Sequence, residues 1–374
     1  MNKLFLLALC SMISLSISAL AQRPPMIVSP EVQPDGHVTF RFADPNALKV
    51  EVELEGERTP TPMQKDDHGM WSLTVGPLQP DIYGYSFIAD GVALIDPSNP
   101  LTKPNLLETQ SAVHVPGPPS LPWEMNDVPH GVIHHHFYYS KLAADHRDMY
   151  VYTPPDYFAD TKTEYPVLYL LHGFSDDASG WTAVGRANVI LDNLIAQGKV
   201  KPMVVVMPLG YGDYEVIRRG WSAWSDKDLA RRNLSKFTDM LLSEVMPQVE
   251  QRYRIKKDRE SHAIAGLSMG GAESLLTGLN HLDQFAWVGA FSSGGIDLAD
   301  FKTEFPDVDA SANKKLKLLW ISCGTDDRLI TVNRQFKSWL KDKGVEFTDI
   351  ETPGMHDWMV WRRNLAAFAP LLFQ

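Results

Sequence analysis

The chain has 374 residues, 44% of them hydrophobic and 22% charged, which is the composition of an ordinary folded protein. That excludes a disordered, collagen-like or small disulfide-stapled chain, and the length suggests two domains, one of them large. With 35 basic against 46 acidic side chains the formal charge is -11, which argues against nucleic-acid binding as the main task.

Residues 1–21 read as a secretory signal peptide. Lys3 gives a positive start, Leu4 to Ala19 is apolar apart from serines, and Ala19-Leu20-Ala21 is a small-x-small cleavage site. The run is short and serine-rich for a membrane anchor. Bulky Leu9 before Cys10, and the early place of Cys10 in the run, argue against lipid attachment. Removing this segment leaves Cys323 as the single cysteine, so no internal disulfide is expected. The mature chain is expected to be exported, periplasmic or secreted, with no membrane span.

Residues 22–115 alternate apolar and polar side chains in short runs: Val38 to Phe42, Val50 to Leu54, Trp71 to Val75 and Tyr83 to Phe87. Turn residues such as Asp35-Gly36 and Asp90-Gly91 separate them. This pattern predicts a small all-β, antiparallel sandwich. Between Pro116 and Pro122 stand four prolines, which forbid a helix, and residues 116–127 read as a stiff linker. From 128 to 374 the pattern changes to continuous apolar runs, Val167 to Leu171, Met203 to Met207 and Leu318 to Ser322, alternating with helical-period segments. Buried strands alternating with helices predict an α/β domain around a mostly parallel sheet.

Gly266-Leu267-Ser268-Met269-Gly270 lies between an apolar strand and a helix reaching about Leu279. A sharp strand-to-helix turn needs small neighbours and lifts the Ser268 hydroxyl above the sheet, at the positive end of the helix. A serine hydroxyl attacks only when a positioned base takes its proton. In the order Ser, Asp, His, the base is His356 and the acid is Asp327 in preference to Asp326, each after a strand. Backbone N–H groups of Phe174 and Met269 are the expected oxyanion donors. His172 precedes the serine and reads as a loop-shaping residue, and Asp357 as a helix cap or supporting group. Trp181 and Trp358, near these motifs, are expected either in the core or lining the acyl pocket. Tyr211 to Arg232 reads as a loop over the cleft. His134-His135-His136 alternate in direction along a strand and have no further ligand set, so no metal is expected.

Arg147-Asp148-Met149-Tyr150-Val151-Tyr152-Thr153-Pro154-Pro155, Leu171-His172-Gly173, Gly266 to Gly271, Cys323-Gly324-Thr325-Asp326-Asp327 and Gly354-Met355-His356-Asp357-Trp358 together resemble the esterase D superfamily. Within it they look most like carbohydrate esterase family 1. The resemblance covers about 128–374 and implies an α/β-hydrolase fold, with Ser268, Asp327 and His356 as triad and Phe174 and Met269 as oxyanion donors. Tyr83 to Phe87, Asp90-Gly91 and Asp96 to Pro100 resemble the early-set sandwich of carbohydrate-binding module family 48.

The expected activity is a serine esterase that removes feruloyl or acetyl groups from xylan-type plant polysaccharide, without metal or organic cofactor. Feruloylated or acetylated xylo-oligosaccharide is the expected partner, with no nucleic acid. An enterochelin-type siderophore esterase is the nearest rival, and mycolyltransferase-like acyl transfer a third. A non-catalytic glycan-binding protein is the reading from another class, disfavoured because nucleophile, acid and base are all present.

Overall fold

The computed structural model describes residues 26–297 and 299–374, so the expected signal peptide lies outside the described residues. Among these, no helix is long and apolar enough to cross a membrane. The alternating runs near the start form β1 (Val38–Ala43), β2 (Val50–Leu54), β3 (Met70–Val75), β4 (Asp81–Ala89) and β5 (Gln110–Val115). β1 pairs antiparallel with β3, and β2, β4 and β5 form the centre of a second antiparallel sheet. Alternate side chains point inward, so Phe40, Val52, Tyr85 and Phe87 meet in one core between the two sheets. The Phe40 and Tyr85 rings lie 4.7 Å apart.

The continuous apolar runs become the centre of an eight-stranded sheet. Its strands are β6 (Val132–Ser140), β7 (Asp145–Thr153), β8 (Val167–Leu171), β9 (Val204–Pro208), β10 (His262–Leu267), β11 (Trp287–Phe291), β12 (Leu318–Gly324) and β13 (Thr348–Thr352). The spatial order is β6-β7-β9-β8-β10-β11-β12-β13. The β6–β7 and β7–β9 pairs are antiparallel and every later pair is parallel. Every residue of β8 is buried because both faces are covered. Val167, Tyr169 and Leu171 enter one core, Leu168 and Leu170 the other. The helices that matter below are α1 (Ala187–Ala196), α2 (Lys227–Met240), α3 (Met269–Asn280), α4 (Ile330–Asp342) and α5 (Trp358–Phe368). Strand β8 runs beside β10 with Leu171 opposite Gly266, so the chain after each strand emerges at the same edge.

The proline-rich segment is no free spacer. The Glu124 carboxylate accepts the Gly117 and Leu121 N–H groups at 2.8 and 3.1 Å. From α1, the Asn193 amide donates to the Pro122 and Glu124 carbonyls, both at 2.8 Å. The sandwich and the α/β domain share buried charge as well. Arg362 on α5 and Asp81 at the start of β4 meet at 2.8 Å, both side chains at 0% exposure. Arg363 reaches the other Asp81 oxygen at 2.7 Å, and Met359 of α5 joins the sandwich core. Removing one partner of a buried pair strands the other charge in low dielectric, at a cost of about 3–5 kcal/mol. Asp81→Ala is therefore expected to lower unfolding stability by about that amount, read as a fall in the urea midpoint. A midpoint unchanged by this substitution contradicts the account of the seam.

Candidate active site

Ser268 follows β10 directly and opens α3. Its backbone is at φ 51 and ψ -114, a conformation costly for a residue with a Cβ. The flanking glycines are required by close approach. A Cβ on Gly266 would lie 2.4 Å from the Gly270 carbonyl oxygen, and one on Gly270 would lie 2.4 Å from that of His172. The Ser268 N–H is fixed by the Phe291 carbonyl at 2.8 Å.

The structure brings the three predicted side chains together. His356 Nε2 is 2.9 Å from Ser268 Oγ, and His356 Nδ1 is 2.8 Å from Asp327 Oδ2. Asp327 also accepts the Leu329 N–H at 2.7 Å. Burial pushes the Asp327 carboxyl up, but the hydrogen bond from His356, its charge and the surrounding donors hold it below the usual aspartate value. Asp326, by contrast, is half exposed; it accepts the Thr325 hydroxyl at 3.2 Å and pairs with Arg58 of the sandwich across the seam at 3.4 Å. Asp357 caps α5, accepting the Val360 N–H at 3.0 Å.

The loop after β8 supplies the opposite side. A Cβ on Gly173 would lie 3.3 Å from Ser268 Cβ, so this loop abuts the serine. Among the described residues the N–H groups of Phe174 and Met269 have no hydrogen-bond acceptor, and two such amides beside a serine can receive a developing oxyanion. His172 is buried; it donates from Nδ1 to the Gly173 carbonyl and accepts the Gly210 N–H at Nε2, both at 2.8 Å. Burial lowers its pKa, and the pair of bonds fixes a neutral ring that shapes the loop.

The sandwich grips the same loop. Asn105 donates to Ser175 Oγ at 3.0 Å and Asp176 Oδ1 at 3.2 Å, and the Leu106 N–H donates to the Ser175 carbonyl at 2.7 Å. Ser175 stands at φ 73, so these contacts hold a backbone that is unfavourable by itself. Burial pushes the Asp176 carboxyl up to about 7. On the histidine side, the Trp358 N–H donates to Glu55, just after β2, at 3.3 Å. Neither Asn105 nor Glu55 carries a motif, and no local pattern marks them.

Two spaces meet at Ser268. One is a cavity of ≈340 Å³ walled by Phe174, Trp221, Trp224, Ile296 and Leu329. Its lining also carries Lys227 with Asp297 at 2.9 Å, and Arg231 with Glu304 at 2.7 Å. The Phe174 ring packs edge-on to Trp221 at 4.8 Å and to Trp224 at 5.4 Å. The other is an open groove of ≈600 Å³ between the Ser268 and His356 loops and the sandwich, bordered by Glu53, Glu57, Glu108 and Asp326. The Tyr211–Arg232 stretch, expected as a loop, is largely short helical turns and the start of α2. Trp221 and Trp224 do face the cleft from it. Arg328, over the Trp221 ring at 5.1 Å, was not singled out in sequence, although its place beside Asp327 was a usable signal.

Trp358 and Trp181 divide. Trp358 borders the groove at 2% exposure. Trp181 as a pocket residue is corrected: it is fully buried, its indole N–H donates to the Leu171 carbonyl at 2.8 Å, and it lines neither space. It supports Trp358 edge-on at 5.1 Å from beneath. Among the described residues no group of three or more His, Cys, Asp or Glu is arranged to hold a metal ion.

A family model described as Putative esterase matches residues 140–372. An endo-1,4-beta-xylanase/feruloyl esterase of Xylanibacter ruminicola is 30% identical over 352 residues, covering 92% of this chain and 46% of its own length. The chain thus spans about half the length of that relative. Among solved structures, a CE1 ferulic acid esterase from Anaeromyces mucronatus aligns with a TM-score of 0.58 at 25% identity, over 67% of this chain and 93% of that one. Enterochelin esterase from Shigella flexneri aligns with a TM-score of 0.68 at 20% identity, over 92% of this chain and 95% of that one, a likeness of fold.

Proposed function

The chain belongs to the Putative esterase family, and on that premise we propose that it is an exported serine carboxylester hydrolase releasing feruloyl groups from xylan-type polysaccharide. The observation that carries the acyl preference is the ≈340 Å³ aromatic cavity at Ser268, which suits a planar hydroxycinnamoyl group and far exceeds what an acetyl group fills. The open groove on the other side then receives the sugar, with the sandwich as its far wall.

In this reading Ser268 Oγ attacks the ester carbonyl carbon while its proton passes to His356 Nε2. Asp327 accepts the Nδ1 proton's hydrogen bond and stabilises the imidazolium. The Phe174 and Met269 N–H groups donate to the carbonyl oxygen as it becomes negative. Collapse breaks the ester C–O bond, His356 returns its proton to the leaving sugar oxygen, and the acyl group stays on Ser268. Water then attacks that acyl carbon, giving its proton to His356, and the second collapse breaks the acyl–Oγ bond as His356 returns that proton to Ser268 Oγ, freeing the carboxylic acid. The atoms balance as ester plus water to acid plus alcohol.

The sandwich acts in this reading through the oxyanion loop. Asn105→Ala is expected to lower kcat on a small soluble ester by about 3- to 10-fold with KM nearly constant, the worth of one or two lost hydrogen bonds. A rise in KM at constant kcat would instead make Asn105 a substrate contact.

The enterochelin-type reading is favoured by the fold likeness over both parts of the chain. The carboxylates of Glu53, Glu57, Glu108 and Asp326 along the groove oppose a polyanionic ferric siderophore. Parallel rates on methyl ferulate, a small acetyl ester, acetylated xylan and iron–enterobactin separate these readings. The expected order places methyl ferulate at least about 10²-fold above the acetyl ester in kcat/KM, from the filled aromatic cavity. Faster turnover of iron–enterobactin, or of the acetyl ester, overturns the assignment.

A further inference from the structure

The seam between sandwich and hydrolase encloses another cavity, of ≈290 Å³, which Ser268 does not line. Apolar groups make much of its wall: Ile82 and Leu101 from the sandwich, Val184 from the hydrolase, and the Trp123 ring from the proline-rich strap. Most of the charges around it are matched. Glu55 holds Lys103 at 2.7 Å, Asp81 holds Arg362 at 2.8 Å, and Glu124 meets His114 at 3.1 Å besides its two backbone donors.

Arg186 is the exception. Among the described residues its guanidinium has neither a carboxylate nor a hydrogen-bond partner, and its Nε is sealed from solvent without an acceptor. Burial lowers its pKa and the nearby Arg362 charge lowers it further. The residue also stands at φ 58, in the left-handed region that side chains other than glycine rarely adopt. On the same cavity, Trp123 is only 4% exposed and its indole N–H is buried and without a partner. An unsatisfied buried donor and an unneutralised, partly desolvated cation are both costly, and they persist where a ligand completes them.

We propose that this cavity is a binding site for a small monocarboxylate with a compact apolar or sugar body, its carboxylate held by Arg186 with the Trp123 N–H as a second donor. The chemistry selects a monoanion. A cation would face Arg186, Arg362 and Lys103, whereas a dianion would bring its second charge toward Glu55 and Glu124. Water can satisfy the N–H groups but leaves the guanidinium charge unneutralised. Glu55 and Lys103 border both this cavity and the groove at Ser268, so an occupant sits one ion pair away from the Glu55 carboxylate that holds the Trp358 N–H.

Such a carboxylate has two sources: a free aromatic acid, or a uronic acid unit of a polysaccharide. Calorimetric titration of the full chain with sodium benzoate, sodium D-glucuronate and neutral benzamide distinguishes them. One carboxylate is expected to bind saturably, and Arg186→Met to weaken it at least 10-fold, as loss of a charged hydrogen bond implies, while benzamide shows no difference between the two proteins. Unliganded Arg186→Met is expected to unfold no lower than the parent and to keep its ester-hydrolysis rate, since the guanidinium has no native partner to lose. Equal carboxylate affinity in parent and Arg186→Met, or no saturable binding of either carboxylate, overturns the proposal. Should Arg186→Met fold poorly, Trp123→Phe keeps an aromatic ring on the wall and removes the N–H together with the pyrrole part of the indole; it is expected to weaken the carboxylate about 3-fold, and unchanged affinity counts against the site. The titration reads binding alone, so its outcome is separable from whether Ser268 hydrolyses feruloyl esters.

Discussion

Ser268→Ala is expected to reduce kcat on methyl ferulate by about 10⁵-fold or more, leaving only what the oxyanion amides and binding supply. The size of the effect follows from the geometry. His356 Nε2 lies 2.9 Å from Ser268 Oγ, and no other hydroxyl is within hydrogen-bond reach of that nitrogen among the described residues. The fold should survive the change, because the Ser268 backbone is held by its N–H bond to Phe291 and not by its side chain. Alanine keeps the Cβ and so keeps the unfavourable φ of 51; glycine does not. Ser268→Gly is accordingly expected to be equally inactive yet about 1 kcal/mol more stable, the signature of strain retained for chemistry. Both are read from single-turnover rates and urea midpoints. Residual activity above a percent in either variant removes Ser268 from the role of nucleophile.

The parts of this molecule that could be read from sequence are those encoded over short distances. Val167 to Leu171 announced a doubly covered strand because five consecutive apolar residues can be buried only from both faces. Ser268 was legible because Gly266 and Gly270 flank it in one five-residue pattern between strand and helix, even though the contact that demands Gly270 comes from distant His172, and Asp327 and His356 because each follows a strand end. What stayed hidden depends on which face of an element a residue occupies, or on partners far away in the chain. Trp181 is ten residues beyond Leu171, close enough in sequence to suggest the pocket, yet its indole N–H turns back to the Leu171 carbonyl beneath the sheet edge. The Arg362–Asp81 pair joins positions 281 residues apart, and the Glu55–Trp358 bond spans 303. No periodicity registers such pairings. They arise only once the sandwich and α5 have docked, and they make the sandwich part of the walls and loops around Ser268.

Two adjacent carboxylates offer the sharpest test of the charge arrangement. Asp327→Asn is expected to lower kcat by about 10³–10⁴-fold, whereas Asp326→Asn is expected to change it less than about 2-fold. The Asp327 carboxylate accepts from His356 Nδ1 at 2.8 Å, which keeps the proton on Nδ1 and leaves Nε2 bare to take the serine proton. An asparagine there can present its NH₂ to Nδ1 instead. That stabilises the opposite tautomer, with hydrogen on Nε2 and no base facing Ser268. It also removes the negative charge that stabilises the imidazolium in the transition state, in a site where Asp327 is 2% exposed and solvent cannot compensate. The Asp326 side chain is about half exposed and its one charged contact, Arg58, is also exposed, so neutralising it removes a screened surface interaction. Loss of activity in Asp326→Asn with an active Asp327→Asn would exchange the two roles. Equal losses in both would mean that the site needs net negative charge near His356 more than it needs one oriented oxygen.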